Sequence, residues 1–254
     1  TQDPLKANTG AAIEAVSLST YEGPELRGWL VHASATRTPA PILIYFGGNA
    51  EEVSWLASSA GRYAGWSLLL VNYRGYGRSE GKPGEAELFA DALQIYDYAQ
   101  GRARGGRVAL MGRSLGSGVA VYLAAQRPVA GVILVSPYDS IESVARGVYP
   151  FLPIALMLKH RFDSLSRAAQ IRTPLLCLVA SEDTSFRGRT PNVCTRHGAD
   201  PGNGAKFPLA TTASPMRRNI GGRLRGSCRP WAESAAHCVL IYLPQHTGRN
   251  AWPP

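Results

Sequence analysis

The chain has 254 residues, 45% of them hydrophobic and 18% charged, which supports one large folded domain or two small ones and excludes a disordered protein. Its formal charge of +9 is unevenly spread: through Asp183 there are 17 Lys and Arg against 16 Asp and Glu, and from Thr184 onward 10 against 2. The basicity therefore belongs to the tail, and a near-neutral body with an arginine-rich, aromatic-poor tail argues against a nucleic-acid partner.

No apolar run approaches the eighteen or so residues that a membrane span needs, and Pro150 and Pro153 interrupt the longest uncharged stretch. The N-terminus carries no basic-then-apolar leader, and the sequence opens at Thr1, so membrane association is expected only through a segment ahead of it and localisation is open. Cys177 lies in an apolar run and reads as core. Cys194, Cys228 and Cys238 lie in the tail without paired ligand spacing, so neither a disulfide framework nor a metal site is expected.

In chain order, residues 12–20 and 25–33 form a leading antiparallel strand pair, 41–46 a strand, and 51–65 a helix closed by Gly65. The run 66–73 is the next strand. A helix follows from about Glu85 to Gln100, with Leu88, Ala92, Ile95 and Ala99 on one face. Strand 107–111, a helix through 119–127, and strands at 129–136 and 174–180 complete the set. Strands that are apolar at every position are buried on both faces, so the expected fold is α/β, a mostly parallel sheet with helices on both sides. After Thr184 the periodicity stops. Only Ser234–Leu243 offers a short apolar run, and no further βα unit is expected from it.

Gly112-Arg113-Ser114-Leu115-Gly116 has the form G-x-S-x-G and lies where a strand ends and a helix begins. A serine on such a turn is held in a strained backbone conformation with its hydroxyl above the sheet edge, beside a helix N-terminus. Ser114 is thus the expected nucleophile. The Leu115 N–H is an expected oxyanion donor, joined by the Asn49 N–H of Gly47-Gly48-Asn49, which follows strand 41–46 directly. Asp183, at the end of strand 174–180, is placed to orient a histidine, with Asp139, one strand earlier, as the alternative and Glu182 as a weaker one. Arg113 could meet a substrate carboxylate, though a solvated arginine explains it as well.

The strings YFGGNA, NYRGYGRSEGKPGE, LMGRSLGSGVA, GVILVSPYDSI and LLCLVASEDT, in this order and spacing, resemble the α/β-hydrolase superfamily, in particular the branch of protein depalmitoylases and serine aminopeptidase-like hydrolases. The resemblance covers residues 12–184. It implies an α/β-hydrolase core over 1–184 with a cap at about 140–162, no cofactor, and a small-molecule or acylated substrate cleaved at an ester, thioester or amide through an acyl-enzyme. The apolar stretch Ile141–His160, with VYPFLP, suits an acyl chain. A histidine more often stands at the Gly47 position in that branch, so the oxyanion loop departs from the pattern there.

The resemblance also implies a base histidine on the loop after one more strand, two to three dozen residues past the acid. His32 and His160 fall elsewhere, His197 follows Asp183 by only 14 residues, and His237 and His246 come late. The base is left unassigned. A reading frame displaced by one base near codons 184 and 185 accounts for the composition change, because the neighbouring frame permits a Gly-His-Asp 27 codons past Asp183. On that reading residues 185–254 are a basic, irregular tail and the sheet is cut short after its strand at 174–180. The rival reading is a catalytically incomplete hydrolase-fold protein, acting as a binding scaffold or without function.

Overall fold

The computed structural model describes residues 11–21, 23–33, 40–63, 65–103, 105–148, 158–180 and 238–243. Its strands are β1 (Ile13–Ser19), β2 (Glu25–Val31), β3 (Ile42–Phe46), β4 (Ser67–Val71), β5 (Val108–Arg113), β6 (Val132–Val135), β7 (Leu175–Ala180) and β8 (Cys238–Leu243). They form one sheet in the order β1-β2-β4-β3-β5-β6-β7-β8, with β1–β2 and β2–β4 antiparallel and all other pairs parallel. The helices are α1 (Glu85–Ala103), α2 (Leu115–Gln126), α3 (Ile141–Val148) and α4 (Ser164–Ala168).

Alternate residues of the central strands face opposite layers, which is why these strands lack a polar face. Ile42, Ile44 and Phe46 of β3 join Leu110 of β5 and Leu134 of β6 against Leu88, Ala92, Ile95 and Ala99 of α1 and Val119, Ala120 and Leu123 of α2. Leu43 and Tyr45 turn the other way, with Leu68, Leu70 and Ala109, onto Val53, Leu56 and Ala57.

Three expectations need correction. Val53–Arg62 is a 3-10 helix and not an α-helix to Gly65. Ser54, Ser58, Ser59 and Gly61 are weak α-formers, and the Ser58 hydroxyl donates to the Trp55 carbonyl at 2.7 Å, competing for the acceptor that α-winding would use. Cys177 is core, as expected, but it is also disulfide-bonded, to a cysteine whose side chain lies outside the described residues. The sheet does not end at β7. Cys238–Leu243 pairs with β7 in parallel, from Leu175 opposite Cys238 to Ala180 opposite Leu243. Six apolar residues suffice for a strand once an unpaired sheet edge offers a ladder. That short run lacked neighbouring periodicity, so it could not be read as a strand in isolation.

The loop after β4 is fixed by a buried ion pair. Arg74 donates from Nε to Asp91 Oδ2 at 2.8 Å and from Nη2 to Oδ1 at 2.6 Å, binding the Asn72–Ser79 turn to α1. The two side chains are 5% and 1% exposed. Asp91→Ala leaves the guanidinium buried without its carboxylate, and is expected to cost about 3–5 kcal/mol of stability. A urea midpoint for Asp91→Ala matching that of the parent protein would refute this role for the pair.

Candidate active site

Ser114 stands between β5 and α2 with φ 48° and ψ −117°, a conformation that costs a non-glycine residue about 1–3 kcal/mol. The turn is pinned on both sides: Ser114 N–H donates to the Val135 carbonyl at 2.9 Å, and the Ser114 carbonyl accepts from the Ser117 N–H at 2.8 Å and the Ser117 hydroxyl at 2.6 Å. The flanking glycines are required by space. A Cβ on Gly116 would sit 2.0 Å from the Phe46 carbonyl oxygen, and one on Gly112 would sit 2.3 Å from that of Gly116. The Ser114 side chain does not cap α2, and it lines a cavity of about 770 Å³.

The structure brings Ser114, Leu115 and Asn49 to this one cavity. A Cβ built on Gly48 would lie 3.7 Å from Ser114 Cβ, so the Gly47–Asn49 loop passes beside the serine. Tyr73 donates its hydroxyl to the Gly47 carbonyl at 3.1 Å, and Tyr76 donates to Asn49 Oδ1 at 2.7 Å. Burial, reinforced by Tyr138, Tyr45 and Glu51, pushes the Tyr73 phenol well above its ordinary pKa, so it remains a donor. Among the described residues no hydrogen bond occupies the N–H of Asn49 or of Leu115. Leu115 opens α2, where unpaired N–H groups and the helix dipole favour negative charge.

Apolar side chains of Leu88, Leu115, Ile141, Val144 and Phe162 line the rest of the cavity, with Tyr138 beside them. Tyr138 donates to the Leu115 carbonyl at 3.2 Å. Burial first, and then the charge of Glu85, raises its pKa. The stretch expected as a cap borders the cavity through α3 and residues 158–162, and Ile141 N–H closes it by donating to the Arg161 carbonyl at 2.8 Å. All four described non-glycine residues with left-handed φ border the site: Ser114, Ser136 and Phe162 line it and Ala50 adjoins Asn49. Such clustering of strain is typical of functional sites.

Arg113 lines the cavity with its side chain half exposed, and its Nη1 donates to Glu51 Oε2 at 3.0 Å. Sequence reasoning missed Glu51 altogether. Its only signal was position, three residues past Gly48. Asp139 lies half-buried in the loop after β6, and its carbonyl accepts from the Ser164 and Leu165 N–H groups. Asp183, like Glu182, lies outside the described residues.

The geometry removes two histidines from contention as the base. His32 follows β2, and because β2 runs antiparallel to β4 with Val31 opposite Leu68, it lies at the amino end of the parallel strands, away from Ser114. His160 lines the cavity, but its Nδ1 accepts from the Glu85 N–H at 3.2 Å. A neutral ring so engaged carries its proton on Nε2 and has no lone pair left for the serine. His197, His237 and His246 lie outside the described residues. In the sequence His237 immediately precedes β8 and His246 follows Leu243 by three residues, past the carboxyl end that β8 shares with β5.

No helix among the described residues is long and apolar enough to cross a membrane, and no group of three or more His, Cys, Asp or Glu among them could hold a metal ion.

A serine on a strained strand-to-helix turn, at the carboxyl edge of a mostly parallel sheet in this strand order, defines an α/β hydrolase. The family described as serine aminopeptidase, S33 matches residues 37–214, more than half of the sequence, and the chain belongs to that family. It is 37% identical over 173 residues to the uncharacterized protein Rv2307c of Mycobacterium tuberculosis, covering 66% of this chain and 61% of that one. It is 31% identical over 170 residues to a lysophosphatidylserine lipase, ABHD12, of Danio rerio, covering 57% and 44%. The chain thus spans less than two thirds of the length of these relatives. An α/β hydrolase from Vibrio vulnificus superposes with a TM-score of 0.58 at 24% identity, covering 69% of this chain and 66% of the other. The Pyrococcus furiosus esterase Pf2001 superposes at 0.53 with 20% identity, covering 68% and 71%. These two likenesses confirm the fold expected from the sequence.

Proposed function

We propose that the protein is a serine hydrolase that cleaves an acyl ester, thioester or amide through an acyl-enzyme. The observation that carries this reading is the strained Ser114 turn, opening onto an apolar-walled cavity beside two unoccupied backbone N–H groups. Ser114 Oγ attacks the carbonyl carbon as a histidine takes its proton. The Asn49 and Leu115 N–H groups hold the oxyanion, the leaving group departs with the proton, and water then releases the acid by the reverse sequence. Asp183 orients the histidine. The histidine belongs after the last strand, and in the chain as it stands His246 has that place in the sequence.

The apolar wall of Leu88, Ile141, Val144 and Phe162 favours an acyl chain over a peptide, and similarity to proteins named as a lysophosphatidylserine lipase and an esterase supports an oxygen ester. The test is turnover of p-nitrophenyl acyl esters of increasing length, together with labelling by a fluorophosphonate probe. No labelling of Ser114 would overturn the reading in favour of a non-catalytic binding scaffold.

Within this reading Asp183→Asn is expected to lower kcat by about 10⁴-fold with little change in thermal midpoint, because it favours the wrong tautomer of the base. If Asp139→Asn is the crippling change instead, the acid sits after β6.

A further inference from the structure

Beside the serine, one carboxylate collects donors from four different segments. Glu51 Oε1 accepts from the Tyr45 hydroxyl at 2.7 Å and from Trp55 Nε1 at 2.9 Å. Its Oε2 accepts from the Gly48 N–H at 2.5 Å and from Arg113 Nη1 at 3.0 Å. A carboxylate has about four acceptor sites, so these donors fill them. The side chain is 9% exposed.

Its partners have a common relation to the reaction. Tyr45 is in β3, Gly48 is in the loop that carries Asn49, Trp55 is in the 3-10 helix, and Arg113 immediately precedes Ser114. The bond from Gly48 fixes the Gly47–Gly48 peptide, the neighbour of the one that carries the Asn49 N–H. The bond from Arg113 fixes that loop against the turn that carries the serine. Gly47 leaves room for this arrangement: a Cβ there would come 3.0 Å from Val53 Cγ1 and 3.4 Å from Glu51 Cδ. Charge-assisted bonds to a nearly buried carboxylate are stronger and more directional than neutral ones. Tyr45 is locked as a donor, since burial and then the charge and hydrogen bond of Glu51 raise its pKa.

We propose that Glu51 is a positioning residue that aims the Asn49 N–H at the oxyanion, by clamping Gly48 and Arg113 to one carboxylate. The proposal rests on the assignment of Ser114 and of the oxyanion donors made above.

The test replaces Glu51 by Gln, which keeps the size but offers an NH₂ where one oxygen accepted. Glu51→Gln is expected to lower kcat about 10²-fold, as loss of one oxyanion donor does, with KM within twofold of the parent value. Affinity for an alkyl boronic acid, which forms a tetrahedral adduct on the serine, should fall by a similar factor, while affinity for the fatty-acid product should not. Glu51→Asp, which retains the charge but withdraws it by one methylene, should fall in the same sense, and carries the test if Glu51→Gln does not fold.

A geometric readout runs in parallel. The Gly48 amide proton should resonate downfield in the parent protein and move upfield in either variant. Unchanged kcat per titrated active site, or equal losses of product and boronate affinity, would overturn the positioning role. A parent protein that neither turns over nor forms the boronate adduct, yet shows the Gly48 shift, would overturn the assignment of Ser114 while leaving the clamp intact.

Discussion

Replacing Ser114 by alanine is expected to reduce turnover by about 10⁴- to 10⁶-fold and to eliminate phosphonate labelling, while the protein remains folded. Among the described residues no other serine sits on a strand-to-helix turn beside two unoccupied N–H groups. The hydroxyl makes no capping bond, so its loss breaks no structural contact of that kind. Alanine keeps the Cβ that makes φ 48° unfavourable, and should be close to neutral in stability. Ser114→Gly removes that Cβ and should raise stability by about 1–2 kcal/mol, at the same catalytic loss. A thermal midpoint for Ser114→Gly at or below that of Ser114→Ala would show that the turn is not strained. Retained labelling in Ser114→Ala would place the nucleophile elsewhere.

Restoring one base near codon 184 is expected to raise both hydrolytic rate and protease resistance over the chain as it stands, with a rate gain of at least about 10²-fold, the scale of a recovered general base. The displaced frame permits a Gly-His-Asp where the family resemblance implies a histidine, and it would replace a segment of 10 basic and 2 acidic residues whose self-repulsion opposes compaction. β8 sharpens the comparison. It gives the chain as it stands an eighth strand whose carboxyl end lies at the sheet edge where Ser114 opens, and in the sequence His246 follows that strand by three residues. The decisive measurement is ester turnover and limited proteolysis of both versions, each with and without His246→Ala in the original frame. Activity in the original frame that matches the restored one, and disappears with His246→Ala, would establish β8 and His246 as the native completion and reject the displaced frame.

The central strands were legible because their chemistry is redundant. Ile42–Phe46 and Ser67–Val71 are buried throughout, so apolar runs between turn residues mark them without ambiguity. Leu88, Ala92, Ile95 and Ala99 likewise announce the buried stripe of α1. The serine turn was legible since Gly112 and Gly116 answer a spatial demand that few other patterns make. β8 was not, because pairing with β7 supplies what its own flanks lack. The 3-10 winding of Val53–Arg62 depends on side-chain competition for backbone acceptors, which periodicity does not register. Glu51 was invisible for a further reason: a carboxylate three residues past a glycine looks like surface until the fold brings Tyr45, Trp55 and Arg113 to it.

The junction between α1 and residues 158–162 has a kinetic meaning beyond its place in the cavity wall. Glu85 donates its N–H to His160 Nδ1 and accepts the Arg161 N–H on Oε2 at 2.7 Å, so one residue at the head of a helix holds the returning chain with two opposed bonds. Lifting that chain sacrifices both and uncaps α1. At about 1 kcal/mol net for each bond, and with the Ile141–Arg161 bond and the buried Phe162 ring given up as well, the lifted form is populated at well under 1 per cent. Bulky substrates that need this clearance would meet an entrance open only a small fraction of the time, and their capture rate, unlike that of short esters, would scale with that fraction.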